Sequence, residues 1–470
     1  MSIISSILAS RSGLMVNSAR AQTVSTNIAN AQDENYSKRT VQQAEGLGGG
    51  VYVVGISRAV DTTMDALFRK EMSLASTQNT LSGALNVYTA QLGDLGSETS
   101  FPSLLSALQN DLGLLSNDPG DTSLQQEVLL SAKALTGALH DANAALNQVQ
   151  TTAFTGIESD IKTANKSLAE IARINADIGR TVPGTDTYAS LQDRRSAELD
   201  TLASVIGIQV SYDSENRVTV HTTGGQTLVK AGYVNALSFD RATGELKSDD
   251  IVITPGSSGR RGSDEGSLAG YIALATEIVP QSQLELDEFA RSLIEGFEAA
   301  DASLAPGQPG LFTDGGFALG ATYPAGLAGR LQVNSAADPS AGGDLNLLRD
   351  GLGAVTAGPQ SDNTQVLAWI NFFESDVPYD TAAGQGASAK IIDFANGIFS
   401  AQHGRRVKAD TELASLTASS ETYRANRLNI RGINIDTELQ DLQLIEQAFN
   451  ANSQALRVAT EMIDTLLNMT

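Results

Sequence analysis

The sequence predicts a mainly α-helical fold carrying a small inserted β domain, an α+β chain built as a long helical-bundle rod whose two terminal helices pair with each other. Three patterns carry that expectation. Near the C-terminus apolar residues return every seven positions at Leu428, Ile435, Leu442, Phe449, Leu456 and Ile463, and the stretch Asp436–Thr470 has neither glycine nor proline. A seam of that period favours a long helix wound against a partner. The first thirty residues hold a second seam of the same period, Ile7, Leu14, Ala21 and Ile28. Between Gly207 and Thr254 the period drops to two, as in Ile208, Val210, Tyr212 and again Val218, Val220, which is the pattern of short half-buried strands.

Taken in order, residues 1–60 read as an N-terminal assembly helix followed by a loop and hairpin. Asn27 and Asn30 suit its C-terminal cap, because asparagine tolerates the left-handed conformation. Residues 61–206 form the first part of the helical rod. Asp61 or Thr62 caps its first helix, and Leu67, Leu74, Leu81, Tyr88 and Leu95 form its seam. A shorter helix starts at Pro102, and Asn117-Asp118-Pro119-Gly120 is a turn. An antiparallel helical hairpin is expected from Leu135 to Ile206, shifting phase near Gly156 and turning at Thr181–Thr185. Residues 207–262 are the small antiparallel β insert. Residues 263–300 return to helix with a kink at Pro280, and 301–387 form an irregular outer segment with a strand at Leu331–Asn334 and a helix over Gln365–Phe373. A last rod helix, 388–427, starts near Ser388, and 428–470 is the C-terminal assembly helix, read as continuous from Leu428. A second row on that helix, Ile445, Ala459 and Leu466, is interrupted by Asn452.

The chain of 470 residues carries a formal charge of −23. Residues 1–60 are near neutral at +2 and residues 401–470 at −2, so the acidic excess sits between them. Near-neutral ends allow like helices to lie side by side, and an acidic middle repels its neighbours. The balance argues against nucleic acid, which needs a basic face. The absence of cysteine excludes disulfides and thiolate metal sites. His140, His221 and His403 lack metal-ligand spacing, so no metal or cofactor is expected. Gly48-Gly49-Gly50 precedes a β-branched strand, not a helix, and reads as a turn, not a phosphate cradle. Asp249-Asp250 reads as a solvated turn, with no catalytic residue expected. No stretch resembles a membrane span or a cleaved signal peptide, so no membrane partner is expected.

Asn27-Ile28-Ala29-Asn30 followed by Tyr36-Ser37-Lys38-Arg39 resembles the N-terminal signature of bacterial flagellar rod, hook and hook-associated proteins. Gly50-Val51-Tyr52-Val53 with Gly55, Arg58 and Asp61 resembles the next block. Gly432-Ile433-Asn434-Ile435-Asp436 with Glu438, and Ala451-Asn452-Ser453-Gln454, resemble the C-terminal block and narrow the likeness to the hook-associated protein 1 family. Interior segments at Leu191–Arg195, Ile206–Ile208 and Gly266–Gly270 also resemble that family, whereas 301–390 matches least. Asn35 stands where the family has glycine, and Thr437 interrupts its acidic run.

The resemblance implies a structural subunit in the layer between hook and filament. Its terminal helices would pack into the axial tube, with Ile7, Leu14, Ala21, Asn27, Ile28, Asn30, Tyr36, Ile435, Leu442, Phe449, Leu456 and Ile463 at the assembly interface. Implied partners are further copies of itself in a ring-like layer, the hook protein, the second junction protein, and a cytoplasmic export chaperone on the C-terminal helix. Implied localisation is the extracellular flagellum, reached by type III export without a cleaved signal peptide. Alternative readings are another axial protein, or a secreted enzyme or adhesin on a flagellar frame; the helical hairpin favours the junction protein.

Overall fold

A computed structural model describes residues 3–46, 49–94, 96–256, 261–322 and 324–468; Gly48 and Leu95 lie outside the described residues. Helix α1 (Ile3–Ala29) leads to the hairpin β1 (Arg39–Glu45) and β2 (Val51–Arg58), then to α2 (Thr62–Leu92), α3 (Phe101–Asn117), α4 (Thr122–Ile178) and α5 (Asp186–Val205). Seven short strands follow: β3 (Ile208–Tyr212), β4 (Val218–Thr222), β5 (Thr227–Lys230), β6 (Tyr233–Val234), β7 (Leu237–Asp240), β8 (Glu245–Ser248) and β9 (Ile251–Val252). The chain continues through α6 (Ser267–Ala273), a π-helical turn Leu274–Ile278, α7 (Val279–Ala299), β10 (Phe312–Asp314), β11 (Leu331–Val333), α8 (Leu347–Asp350) and α9 (Thr364–Glu374). It ends with β12 (Val377–Pro378), β13 (Ser388–Ala389), α10 (Ile391–Arg431) and α11 (Ile435–Leu467). These elements form two compact units, one of Met1–Thr77, Ser159–Ala269 and Ala414–Thr470, the other of Gln78–Glu158 and Gly270–Leu413.

In the first unit, α5 returns along the end of α4, and Ile174, Ile178 and Leu191 close a small apolar cluster with Tyr188 packed on it. Thr185 caps α5 by accepting a hydrogen bond from the Tyr188 amide at 3.2 Å. The expected β insert is two sheets: four strands ordered β3-β4-β5-β6, and three ordered β7-β8-β9, antiparallel throughout. Two asparagines ten residues apart on α4 hold them. Asn175 donates to the Val218 carbonyl at 2.9 Å and accepts from the Val218 amide at 3.0 Å. Asn165 donates to the Leu237 carbonyl at 2.9 Å and accepts from the Leu237 amide at 2.7 Å. A carboxamide presents the same donor and acceptor as a peptide group, so each replaces a missing neighbouring strand.

The second unit is centred on Phe297 of α7. Its ring makes edge contacts with Phe312, Phe372 and Phe373 at centroid distances of 4.9, 5.6 and 6.0 Å, and a tilted contact with Trp369 at 5.5 Å. The Trp369 indole donates to the Phe297 carbonyl at 3.3 Å, which satisfies its buried N–H. Leu135, Leu139, Ala142, Leu146 and Val149 of α4 are all buried, as their alternating spacing predicts.

Several local expectations are corrected. Helix α4 starts thirteen residues before Leu135, where Asp121 accepts from the Ser123 amide at 2.7 Å, and it passes Gly156 without a break. The irregularity expected at Pro280 appears one turn earlier as the π-helical turn, because proline removes an amide and crowds the preceding turn. Ser388 belongs to a strand pairing with β12, and the helix begins at Ile391. The helix expected to run unbroken from Leu428 stops at Arg431 and restarts at Ile435. A Cβ on Gly432 would lie 2.4 Å from the Leu428 carbonyl oxygen, and Asn434 caps the new helix through the Thr437 amide at 3.2 Å. Leu428 therefore belongs to α10, not to the terminal seam. Asn35 keeps a negative φ, so its position needs no glycine.

Phe297→Ala should destabilise the second unit by about 3–5 kcal/mol. Urea unfolding followed by the fluorescence of Trp369, the chain's single tryptophan, measures this directly.

Candidate assembly interface

Helices α1 and α11 lie antiparallel in one continuous register. Asn27 meets Glu438, Gly13 meets Asn452, and Ile3 and Ser6 share a groove with Ala459 and Met462. A Cβ on Gly13 would stand 2.8 Å from the Asn452 amide nitrogen, so glycine permits the closest approach. The buried positions of α1 are Ser10, Val16, Asn17, Thr23, Val24 and Asn27, and those of α11 are Glu438, Ile445 and Ala459.

The deepest contact line is therefore not the row singled out from the sequence. Ile7, Leu14, Ala21 and Ile28 are each half-buried beside it. On α11, Leu442, Leu456 and Ile463 are half-buried, while Ile435 and Phe449 are exposed. The row of Ile445 and Ala459, with Asn452 between them, faces α1 instead. Beyond the contact line, Leu8 and Met15 of α1 are 58% and 60% exposed, and Leu444 and Met462 of α11 are 59% and 51% exposed. The helix pair thus buries a narrow, partly polar seam and leaves apolar stripes uncovered.

A polar knot fixes the inner end of this pair. Asn27 donates to the Arg39 carbonyl and to Glu438 Oε2, both at 2.9 Å, and its oxygen accepts from Tyr36 Oη at 3.0 Å and the Arg39 amide at 3.1 Å. Lys38 Nζ lies 2.7 Å from Glu438 Oε1, and the Lys38 amide donates to the Arg431 carbonyl at 2.8 Å. The Arg39 guanidinium sits 4.5 Å from the Tyr36 ring centroid and pairs with Asp186 at 3.0 Å and Asp193 at 3.2 Å. Arg58 reaches the other oxygen of Asp193. One residue cluster so ties α1, β1, β2, α5 and α11 together. Asn30 stays local, donating to the Thr26 carbonyl at 2.8 Å. Sequence reasoning placed Asn27 and Tyr36 at an interface but gave Lys38, Arg39, Arg58, Asp193 and Glu438 no role. All five lie inside the segments that carried the family resemblance.

The other polar positions noted in the sequence have local partners. His140 Nε2 is 2.7 Å from the Leu331 carbonyl, His221 Nδ1 is 3.2 Å from Thr227 Oγ1, and the His403 ring packs on Phe399. Asp249 lies in the turn between β8 and β9, accepting from the Ala236 amide at 3.0 Å. Among the described residues no group of histidine and acidic side chains is arranged to hold a metal ion, and no helix is long and apolar enough to cross a membrane.

Burial pushes the Tyr36 phenol up to about 12, with Arg39 opposing and Asp193, Asp186 and Glu438 adding to the rise. The stabilisation is complete below the unfolded value of 10.0 and is lost as pH rises from there to about 12. Tyr36→Phe should cost about 0.5–1.5 kcal/mol at neutral pH and flatten that alkaline loss. Urea midpoints of both proteins from pH 8 upward test this, since the remaining tyrosines titrate in both. Asn27→Ala leaves Glu438 and the Arg39 backbone short of partners; a loss of about 1–3 kcal/mol is expected, read as faster amide exchange along α1.

Comparison with known proteins finds similarity along nearly the whole chain. Residues 89–305 match the family model described as the flagellar hook-associated protein FlgK helical domain. The chain is 21% identical to flagellar hook-associated protein 1 of Bacillus subtilis, over 97% of this chain and 96% of that protein. It is 23% identical to flagellar hook-associated protein 1 of Escherichia coli, over 97% and 98% respectively. The solved flagellar hook junction protein FlgK of Burkholderia pseudomallei aligns at 20% identity with a TM-score of 0.43, covering 53% of this chain and 47% of that one. With a match to that helical domain in its middle and similarity to proteins of that name along nearly its whole length, the chain is similar to flagellar hook-associated protein 1.

Proposed function

We propose that this chain is a structural subunit of the bacterial flagellum that forms the junction layer between hook and filament. The observation that carries the reading is the terminal helix pair: it is fixed by the Asn27 knot yet leaves Leu8, Met15, Leu444 and Met462 exposed. An exposed apolar stripe of that kind marks a surface that a partner covers. Further copies of the chain, arranged around an axis, would bury the stripes of each pair against the next. The near-neutral ends permit this packing. The hook protein and the second junction protein are the partners proposed for the two faces of the layer. A cytoplasmic chaperone would cover the apolar face of α11 before export to the extracellular flagellum.

The decisive experiment is deletion of the gene. Complete hooks with flagellin monomers in the medium are expected; absent hooks would assign the chain to the hook or rod instead. A finer test uses Leu444→Asp and Met462→Asp, which place carboxylates on the uncovered stripes. Both should block filament assembly while the Trp369-reported stability of the second unit stays unchanged, because neither residue belongs to that core. Normal filaments from both mutants would remove the stripes from the interface. For the chaperone, truncation after Arg431 should abolish binding in calorimetric titration, and Phe449→Ala should weaken it by about 1–3 kcal/mol, as for a buried aromatic anchor.

A further inference from the structure

The first unit holds more buried guanidinium groups than carboxylates to meet them. Arg39 and Arg58 share Asp186 and Asp193. Arg69 and Arg427 share Asp200 and Asp65. Two cations are left over, Arg195 at 3% exposure and Arg431 at 7%. Among the described residues, neither has a carboxylate within ion-pair distance. Arg195 donates to the Asn216 carbonyl at 2.5 Å and makes long contacts of 3.4 Å to the side-chain oxygens of Asn175 and Asn216. Its guanidinium also lies 5.5 Å from the Tyr212 ring centroid. These partners are neutral and orient the group without cancelling its charge. Burial lowers Arg195 to about 10, and Arg58 and Arg69 add to the lowering. A buried charge without an opposite is costly, and it is a standing attraction for an anion.

Arg195 also faces space. It lines a cavity of about 310 Å³ together with Arg58, Gln192, Ser196 and Tyr212. A water occupies about 30 Å³ in the liquid, so the cavity admits an anion of several heavy atoms. Asp65, the carboxylate on its wall, is engaged by Arg427. Ser196 Oγ accepts from Arg69 and Arg427, which leaves its own proton for another acceptor. Tyr212 is 43% exposed, so the cavity reaches the surface of this unit.

We propose that this cavity is a binding site for a small oxyanion, a carboxylate or a phosphate, with Arg195 as its counter-charge. Guanidinium groups match the paired oxygens of both anions. The inference does not depend on the flagellar reading, because it rests on the charge pattern and the cavity alone.

The test uses the full chain labelled with ¹⁵N-arginine, in which the Arg195 Nε–Hε signal is assigned by its loss in Arg195→Lys. Sodium acetate and sodium phosphate are titrated separately at constant ionic strength against sodium chloride. At least one should shift that signal saturably and raise the melting temperature by about 3 °C at ten times its Kd. Which anion saturates distinguishes the planar from the tetrahedral ligand. Gln192→Phe fills the cavity but keeps Arg195, and should weaken binding at least tenfold with the fold intact by circular dichroism. Equal responses to acetate, phosphate and chloride, or an unchanged affinity in Gln192→Phe, would overturn the proposal.

Discussion

Every hydrogen-bonding position of the Asn27 side chain is used, and the four bonds reach three different segments. Both amide protons are donated, one to strand β1 and one to the first turn of α11, while the oxygen receives the Tyr36 phenol and a backbone amide. Aspartate would lack the protons and leucine would lack everything. The chain's two ends are thereby locked together at one point, and the antiparallel register of α1 and α11 follows from it. Few large apolar side chains are buried along that register, so the contact line itself contributes modest hydrophobic stabilisation. The polar knot sets the geometry, and the apolar side chains remain available on the outside.

This division explains what the sequence made legible and what it did not. Heptad spacing correctly marks both terminal segments as helices that pair, because periodicity reports which faces are apolar. It does not report which partner each face meets. The row through Ile435, Leu442 and Phe449 is the more apolar, yet the row facing α1 contains Asn452 and begins at Glu438. When a helix must meet a partner within its own chain and others outside it, the polar row can take the internal contact. The break at Gly432–Asn434 was visible as a glycine and a capping asparagine, but the heptad spacing of Leu428 to Ile435 masked it. Ser388 reads as helix in the sequence because its strand partner, Pro378, is ten residues away across an irregular loop.

The arginine–aspartate groups of the first unit show a similar limit. No spacing rule brings Arg39, Asp193 and Glu438 together, since they are separated by hundreds of residues and meet only in the folded chain. Their presence inside the segments that resembled a family was a hint of role without a mechanism. Within the same unit, Arg195 shows that the charges of a fold need not balance locally even in a chain of −23. Overall charge and local potential are separate quantities.

The two attachments within the first unit obey different physics. The knot at Asn27 leans on arginines, a lysine and carboxylates, whereas Asn165 and Asn175 hold the two sheets to α4 with neutral amides. Amides have no proton to gain or lose in ordinary water, and dissolved ions do not screen them as they screen charges. A bath that turns acidic, fresh or saline therefore acts on one fastening and passes over the other. The sheets would stay seated on α4 through a change of medium that loosens the chain's ends.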